Sequence, residues 1–146
     1  MFDLDVICEA LSIVHPDERT NRQVINTDRY FYNCWGFTAY ALGWENQVRW
    51  IRQSEMEKLL SICSEPVNEV NGLMVGDIAV FKDSLGLCHT AVLIKTAPQT
   101  FIHKNGRDEI DVSTSEEMGN CYRCIYGEIK EFRRSKVIKK PFDLVA

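Results

Sequence analysis

The sequence lacks both a long apolar run and a positively charged lead. No stretch reaches the roughly 18 consecutive apolar residues that a membrane-spanning helix needs. The first residues include the acidic side chains Asp3, Asp5 and Glu9, where a secretory signal has a positive charge followed by an apolar block. We therefore expect a protein without a membrane span that is made and kept in the cytoplasm, unless a phage or a secretion system delivers it elsewhere.

An excess of basic charge is also missing. The chain has 21 acidic side chains against 17 basic ones, which gives a net charge of −4. Proteins that bind nucleic acid usually carry a basic excess, so no nucleic-acid partner is expected. The basic residues near the C-terminus, from Arg133 to Lys140, are expected to form a solvated tail rather than a nucleic-acid or membrane patch.

Repeated metal-binding motifs are absent as well. Cys121 and Cys124 form a single CYRC motif, but a zinc site normally has four ligands, and no second CxxC or HxxxH completes it. The six cysteines would suit disulfides by number alone, yet nothing else in the chain indicates an oxidising compartment. We expect reduced thiols, no metal or organic cofactor, and core positions for Cys8 and Cys63.

The chain has no internal repeat, low-complexity segment or linker, so residues 1–146 are expected to form a single domain. Apolar spacing and capping residues predict helices, and β-branched and aromatic runs predict strands. The predicted helices cover residues 3–14, 33–43 and 53–62. The predicted strands cover residues 76–83, 89–95, 100–106 and 121–132. Helices followed by an antiparallel sheet define an α+β fold.

Several local predictions accompany this outline. Gly43 is expected to cap the second helix, and Ser54 with Glu57 is expected to form a capping box on the third. His15, which precedes a proline, is expected to be exposed and without a role. The acidic segment 108–120 is expected to be a solvated connection.

A cysteine opens the second predicted helix, in the stretch YFYNCWGFTAYALG from Tyr30 to Gly43. Backbone N–H groups and the positive end of the helix dipole favour a thiolate at such a position. The same N–H groups can hold the oxyanion of a tetrahedral intermediate. Gly36, two residues after Cys34, allows close packing or close approach of a substrate backbone.

Histidine is scarce, with three in the chain, and two of them fall in the predicted strands. A thiol nucleophile needs a neighbouring base, and that base needs a group that holds its tautomer and orientation. If residues 95–99 form a hairpin turn, His89 and His103 lie on adjacent antiparallel strands and share one face of the sheet. For each histidine alone, a structural role stays open.

The ordered set of motifs resembles the NlpC/P60 superfamily of papain-like cysteine peptidases. Its DCSGF, PGDLVFF and HVGIYLG motifs are similar to NCWGF at 33–37, VGDIAVF at 75–81 and HTAVLIK at 89–95. The third catalytic residue of the family, often histidine, matches the histidine of FIHKNG. The resemblance covers about residues 30–111 and implies a papain-like fold, with the nucleophile at a helix N-terminus packed on an antiparallel sheet.

The resemblance also implies roles for individual residues. Cys34 is the expected nucleophile, His89 the general base and acid, and His103 the orienting residue. Tyr30 or Tyr32 is expected to help form the oxyanion hole. The family's Asp-Cys-Ser is replaced by Asn33-Cys34-Trp35, which removes a charge beside the thiol and places the Trp35 ring on the substrate side of the site.

Three functions are compatible with these residues. The first is hydrolysis of an amide bond in a peptide, most directly in a peptidoglycan fragment, the usual substrate of the family. The second is deamidation, transglutamination or acyl transfer on proteins by the same triad. The third is a binding or phage-assembly module that keeps the fold without turnover.

Overall fold

A computed structural model gives the fold, and it describes residues 3–69, 72–120 and 129–137. In these ranges, helices lie mainly in the first half and strands in the second. No helix within them combines the length and the apolar character that a membrane crossing requires.

The described helices are short and mostly amphipathic. They are α1 (Leu4–Val14), α2 (Glu18–Asn26), α3 (Cys34–Ala41), α4 (Gln53–Cys63) and α5 (Ser115–Asn120), with one 3₁₀ turn at Arg29–Phe31. Side chains cap the first two helices: Asp3 accepts from the N–H groups of Asp5 and Val6, and Asp17 accepts from that of Thr20. These caps satisfy N–H groups that have no partner inside a helix.

The strands form an open antiparallel sheet. In the described ranges they are β1 (Ser64–Val67), β2 (Ile78–Asp83), β3 (Gly86–Thr96), β4 (Gln99–Lys104), β5 (Ile110–Thr114) and β6 (Ile129–Ser135). Their order across the sheet is β1-β6-β2-β3-β4-β5. The register places Phe81 of β2 opposite His89 of β3, and His103 of β4 opposite Asp111 of β5.

The core is divided by the sheet into two clusters. One joins the buried sides of α1–α4 to Val80, Val92 and Ile102, and the other contains Phe81 and Phe101. Successive residues of a strand point to opposite faces, which is why neighbouring positions fall into different clusters. The fold is therefore α+β, as the sequence predicts, with helices α1–α4 covering one face of a six-stranded sheet.

Most of the predicted elements are confirmed. The three predicted helices correspond to α1, α3 and α4, and Gly43 lies just after α3 with a φ of 76°, in the left-handed region that favours glycine. The first three predicted strands correspond to β2, β3 and β4. Cys8 lies in the core, as expected, and Cys63 is partly buried. Residues 121–128 of the fourth predicted strand, with Cys121 and Cys124, lie outside the described residues.

Two predictions about the elements are wrong, and one helix was missed. The capping box on α4 does not form, because the helix begins at Gln53 and its N-cap is Arg52, without a side-chain cap. The segment 108–120 is not a solvated connection but contains β5 and α5, since Ile110 and Met118 are apolar anchors that enter the core. Helix α2 was not predicted, because its sequence is largely polar and only three of its residues are buried.

His15 is buried rather than exposed. It is 1% accessible, and its ring stacks on Tyr40 with 4.4 Å between centroids. The chain turns directly after α1, and Asn21 of α2 donates a hydrogen bond to the His15 carbonyl oxygen. The histidine before the proline is therefore a core residue, and Tyr40 and Asn21 contact polar groups of it that would be costly to bury alone.

The basic C-terminal residues are not simply a solvated tail. Arg133 and Arg134 belong to β6, and Arg134 makes a two-point ion pair with Asp77, with N–O distances of 2.8 and 2.9 Å. Asp77 also accepts from the Met74 N–H, so it closes the turn that precedes β2, as its position after Gly76 indicates. Lys139 and Lys140 lie outside the described residues.

Candidate active site

The start of α3 is held by the side chain of Asn33. Its backbone is extended, as in most N-cap residues, and its Oδ1 accepts from the Gly36 N–H at 3.0 Å. The same oxygen accepts from the Ile51 N–H, while Nδ2 donates to the Ile51 carbonyl oxygen at 2.7 Å. The amide therefore caps the helix and also fixes the incoming loop against it, which a carboxylate could not do at the carbonyl.

Gly36 is required by that loop. A Cβ atom at Gly36 would lie 1.7 Å from the backbone oxygen of Arg49, far inside any permitted contact. The φ angle of Gly36 is not positive, so the need is for space rather than for a special backbone conformation. The backbone that comes close to Gly36 is therefore the protein's own, at Arg49.

Cys34 lies in the first turn of α3 and is 6% exposed. Burial raises the pKa of its thiol to about 12, whereas the nearby backbone N–H groups of Thr90 and Trp35 and the charge of Lys104 act in the opposite direction. Desolvation outweighs these attractive terms. The resting group is therefore a neutral thiol, in contrast to the thiolate that its place at a helix start favours.

His89 and His103 are in hydrogen-bond contact. His89 Nε2 lies 2.9 Å from His103 Nδ1, and the rings meet edge to face with 5.1 Å between centroids. Both side chains have no exposed surface. Strand β3 positions the first ring beside Phe81, its cross-strand neighbour, and β4 positions the second. The sequence thus places the two histidines on one face of the sheet, and the structure shows them paired there.

Two residues that the sequence interpretation missed continue this chain of hydrogen bonds. His103 Nε2 lies 3.2 Å from Ser113 Oγ, and Ser113 Oγ donates to Asp111 Oδ2 at 3.2 Å. Both residues belong to β5, in the segment interpreted as a connection. The available signal was the alternation of polar and apolar residues in IDVST, which is typical of a half-buried strand.

Burial also controls the charge of the imidazoles. Desolvation lowers the pKa of His89 well below its ordinary value, and the neighbouring His103 lowers it further. Desolvation lowers the pKa of His103 to about 4, although the charge of Asp111 acts to raise it. Both rings are therefore neutral at pH 7, and each can donate one hydrogen bond and accept another.

The thiol lies at the main chain of β3 on the helix-covered face of the sheet, whereas His89 and His103 lie on the opposite face, with Phe81 and Phe101. Thr38, one turn after Cys34 on α3, shares a hydrogen bond of 2.8 Å with Thr90, the residue after His89. The Thr90 N–H also lies close enough to the Cys34 sulfur to affect its pKa. Among the described contacts there is no hydrogen bond between Cys34 and either imidazole. The structure brings the two histidines together but places the thiol on the other face of the strand that carries the first of them.

A buried lysine is a further charged group near the thiol. Lys104 follows His103 on β4, has no exposed surface, and places Nζ 4.7 Å from the centroid of the Tyr32 ring. Nζ also donates to the carbonyl oxygen of Gly106. Desolvation lowers the pKa of Lys104 to about 8, so it is still mostly charged at pH 7. A cation in this place favours the development of negative charge at Cys34.

The three residues expected at the oxyanion or substrate side occupy different surroundings. Tyr32 is buried, and its hydroxyl lies 3.5 Å from the Val24 carbonyl oxygen, directed towards α2. Tyr30 is 56% exposed, and its hydroxyl accepts a hydrogen bond from Arg29. The Trp35 ring is partly buried, and its indole N–H has no acceptor within the described part of the chain.

No group of three or more His, Cys, Asp or Glu side chains in the described ranges is arranged to hold a metal ion. The side-chain chemistry of this region is instead that of a thiol, two coupled imidazoles and a lysine. No protein-family model, curated protein or solved structure matches the chain. The functional assignment therefore depends on the chemistry of the residues themselves.

Proposed function

We propose that this protein is a cysteine hydrolase that cleaves an amide bond, with Cys34 as nucleophile, His89 as general base and acid, and His103 as the orienting residue. The observation that supports this most is the buried hydrogen bond of 2.9 Å between His89 and His103. Burying two imidazoles is costly unless they are hydrogen-bonded, so the pair holds both rings in a fixed orientation, as a general base and its orienting residue require.

The reaction begins from a neutral thiol. As the Cys34 sulfur attacks the amide carbon, its proton passes to His89, so the thiolate forms only during the attack. Because the two side chains lie on opposite faces of β3 in this structure, the reaction requires β3 to rearrange until they meet. The backbone N–H groups at the start of α3 stabilise the oxyanion, and the Lys104 charge favours the same negative charge. This order of events is compatible with the raised pKa of the thiol and the lowered pKa values of the imidazoles.

The tetrahedral intermediate then collapses. The C–N bond breaks, and the imidazolium of His89 gives its proton to the leaving amine, which leaves a thioester on Cys34. His89 next removes a proton from water, which attacks the thioester and releases the carboxylic acid and the free thiol. His103 keeps the His89 ring in one orientation through both halves of the reaction. All atoms balance without a cofactor.

A papain-like arrangement of the NlpC/P60 type is part of the proposal. A helix that begins at a cysteine and packs on an antiparallel sheet, with histidines on the next strands, supports it. The substrate class that this resemblance implies is a peptidoglycan peptide. Synthesis in the cytoplasm, followed by delivery through a phage or a secretion system, would bring such an enzyme to the cell wall.

The experiment uses purified peptidoglycan and its muropeptides with the full chain. New amines and changed fragment masses are measured for wild type, Cys34→Ala, His89→Ala and the control Cys63→Ala, which alters a partly buried thiol at the end of α4. We expect hydrolysis by wild type and Cys63→Ala, and none by the other two. Equal hydrolysis by wild type and Cys34→Ala would refute the assignment of the nucleophile.

A second function is favoured by one observation. The Cys34 thiol is only 6% exposed, and that accessibility suits a core residue of a binding module as well as a nucleophile that substrate must reach. If the protein is such a module, wild type and Cys34→Ala would bind peptidoglycan fragments equally well, and the fragment masses would not change. Calorimetry with the same muropeptides distinguishes this outcome from catalysis.

A further inference from the structure

The hydrogen-bond chain that begins at His89 ends at a carboxylate on β5. From His103 Nε2 it continues over 3.2 Å to Ser113 Oγ and over another 3.2 Å to Asp111 Oδ2. Ser113 is 6% exposed, whereas Asp111 is exposed and its Oδ1 accepts from the Val112 N–H at 2.9 Å. The chain thus joins two fully buried rings to a charged group at the surface.

A direction for the protons follows from the end of this chain. An ionised carboxylate only accepts, so the Ser113 hydroxyl donates its proton to Asp111. Ser113 Oγ then has lone pairs left, and it accepts from His103 Nε2–H. Because neutral imidazole carries one proton, His103 Nδ1 is an acceptor and receives the Nε2–H of His89.

We propose that Ser113 and Asp111 are positioning residues that fix His89 in the tautomer protonated at Nε2, with Nδ1 unprotonated. A role of that tautomer in catalysis rests on the proposed function, in which Nδ1 is the nitrogen left to accept a proton. The tautomer itself is a property of the fold and exists whether or not the protein turns over a substrate.

The reverse direction is disfavoured by charge. If Ser113 donated to His103 Nε2, the Asp111 carboxylate would lose its hydroxyl donor, and each imidazole proton would move to the opposite nitrogen. A hydrogen bond to a carboxylate is about twice as strong as one between neutral groups. The aspartate therefore sets the direction, and the serine transmits it to the buried rings.

The test measures ring tautomers directly. Long-range ¹H–¹⁵N spectra of uniformly ¹⁵N-labelled protein at pH 7 distinguish Nδ1–H from Nε2–H imidazole, and three histidines make assignment tractable. In wild type we expect both His89 and His103 to be protonated at Nε2. A wild-type His89 protonated at Nδ1 would overturn the inference, whatever the activity of the protein.

Variants on β5 show whether these two residues set the tautomer. Ser113→Ala and Asp111→Ala are expected to shift His89 substantially towards the Nδ1–H form. Ser113→Thr keeps the hydroxyl and is expected to keep the wild-type pattern, and Ser115→Ala is a matched control because its hydroxyl bonds Gln99 instead. Unchanged tautomers in both alanine variants would overturn the inference. Since Asp111 is exposed, its variant remains informative if Ser113→Ala fails to fold.

Kinetics separates this inference from the proposed function. If muropeptides are hydrolysed, Ser113→Ala is expected to lower kcat by at least about 10-fold with little change in KM, because a misplaced proton removes general-base catalysis. Unchanged kcat in a variant whose His89 tautomer has shifted would overturn the catalytic role of the tautomer. If Cys34→Ala shows that no hydrolysis depends on the thiol, the proposed function fails while the tautomer result stands.

Discussion

His89 and His103 form a buried pair in which Nε2 of the first ring lies 2.9 Å from Nδ1 of the second, with no exposed surface on either side chain. Neither ring carries a positive charge at pH 7, because desolvation lowers both pKa values. The unfolded chain, in contrast, exposes imidazoles with pKa values of about 6.5. The pair therefore couples folding to pH.

The first prediction concerns stability in acid. The pKa of His103 is about 4 in the folded protein, so between about pH 6.5 and 4 the unfolded chain binds more protons and stability falls as pH falls. The difference between the folded and unfolded pKa of His103 corresponds to roughly 3 kcal/mol of stability at pH 7 that is lost in acid. His89 contributes with the same sign. Urea denaturation at pH 7 and pH 4.5 measures this. The free energy of unfolding of His103→Asn should fall less between these two pH values than that of wild type. An equal fall in both proteins would contradict the low pKa of His103.

The second prediction concerns the Cys34 thiol. Its raised pKa, about 12, means that alkylation by iodoacetamide should be slow at pH 7 and still increase between pH 9 and 10.5. Cys63, which is partly exposed, is the internal comparison. Peptide mass spectrometry gives both rates from one sample. A Cys34 rate that levels off below pH 8 would show a thiolate in the resting protein and contradict the neutral thiol.

The third prediction concerns Asn33, which stands where the DCSGF motif that this stretch resembles has aspartate. Asn33→Asp should destabilise the protein by about 2 kcal/mol, because a buried carboxylate cannot donate to the Ile51 carbonyl oxygen, which lies 2.7 Å from the present Nδ2. Chemical denaturation measures the change in free energy of unfolding. The control Asn26→Asp alters an exposed residue at the end of α2 and should cost under about 0.5 kcal/mol. Equal losses of stability in the two variants would contradict the role of the Asn33 amide in joining α3 to the backbone of Ile51.

The fourth prediction concerns the ion pair between Asp77 and Arg134. The Asp77 side chain is 1% exposed, so Arg134→Met would leave a buried carboxylate without its cation. We expect a loss of about 2 to 3 kcal/mol, somewhat below that of a fully buried pair because Arg134 is 36% exposed. Arg22→Met is the control, since its partner Asp5 is 81% exposed and the loss should be much smaller than that of Arg134→Met. Denaturation curves that coincide for the two variants would contradict this prediction.

Local sequence patterns predicted the elements whose apolar residues have strong periodicity. Helix α1 has apolar residues at helical spacing, α3 is followed by a glycine with positive φ, and β2–β4 are β-branched and aromatic. Helix α2 and strand β5 escaped prediction because their sequences are largely polar. Each is held by a few anchors, such as Val24 and Ile110, whose burial depends on partners distant in sequence.

What the sequence by itself determined is the inventory of the site: a cysteine at a helix start and two histidines whose spacing, with a hairpin between them, places them on one face of adjacent strands. Tertiary structure alone decided the rest. The pairing of β4 with β5 brings Asp111 and Ser113 to His103, and the packing of α3 against β3 and β4 surrounds Cys34 with Thr90 and Lys104. Charge states followed from that packing, because desolvation depends on every neighbour and not on residue type or spacing.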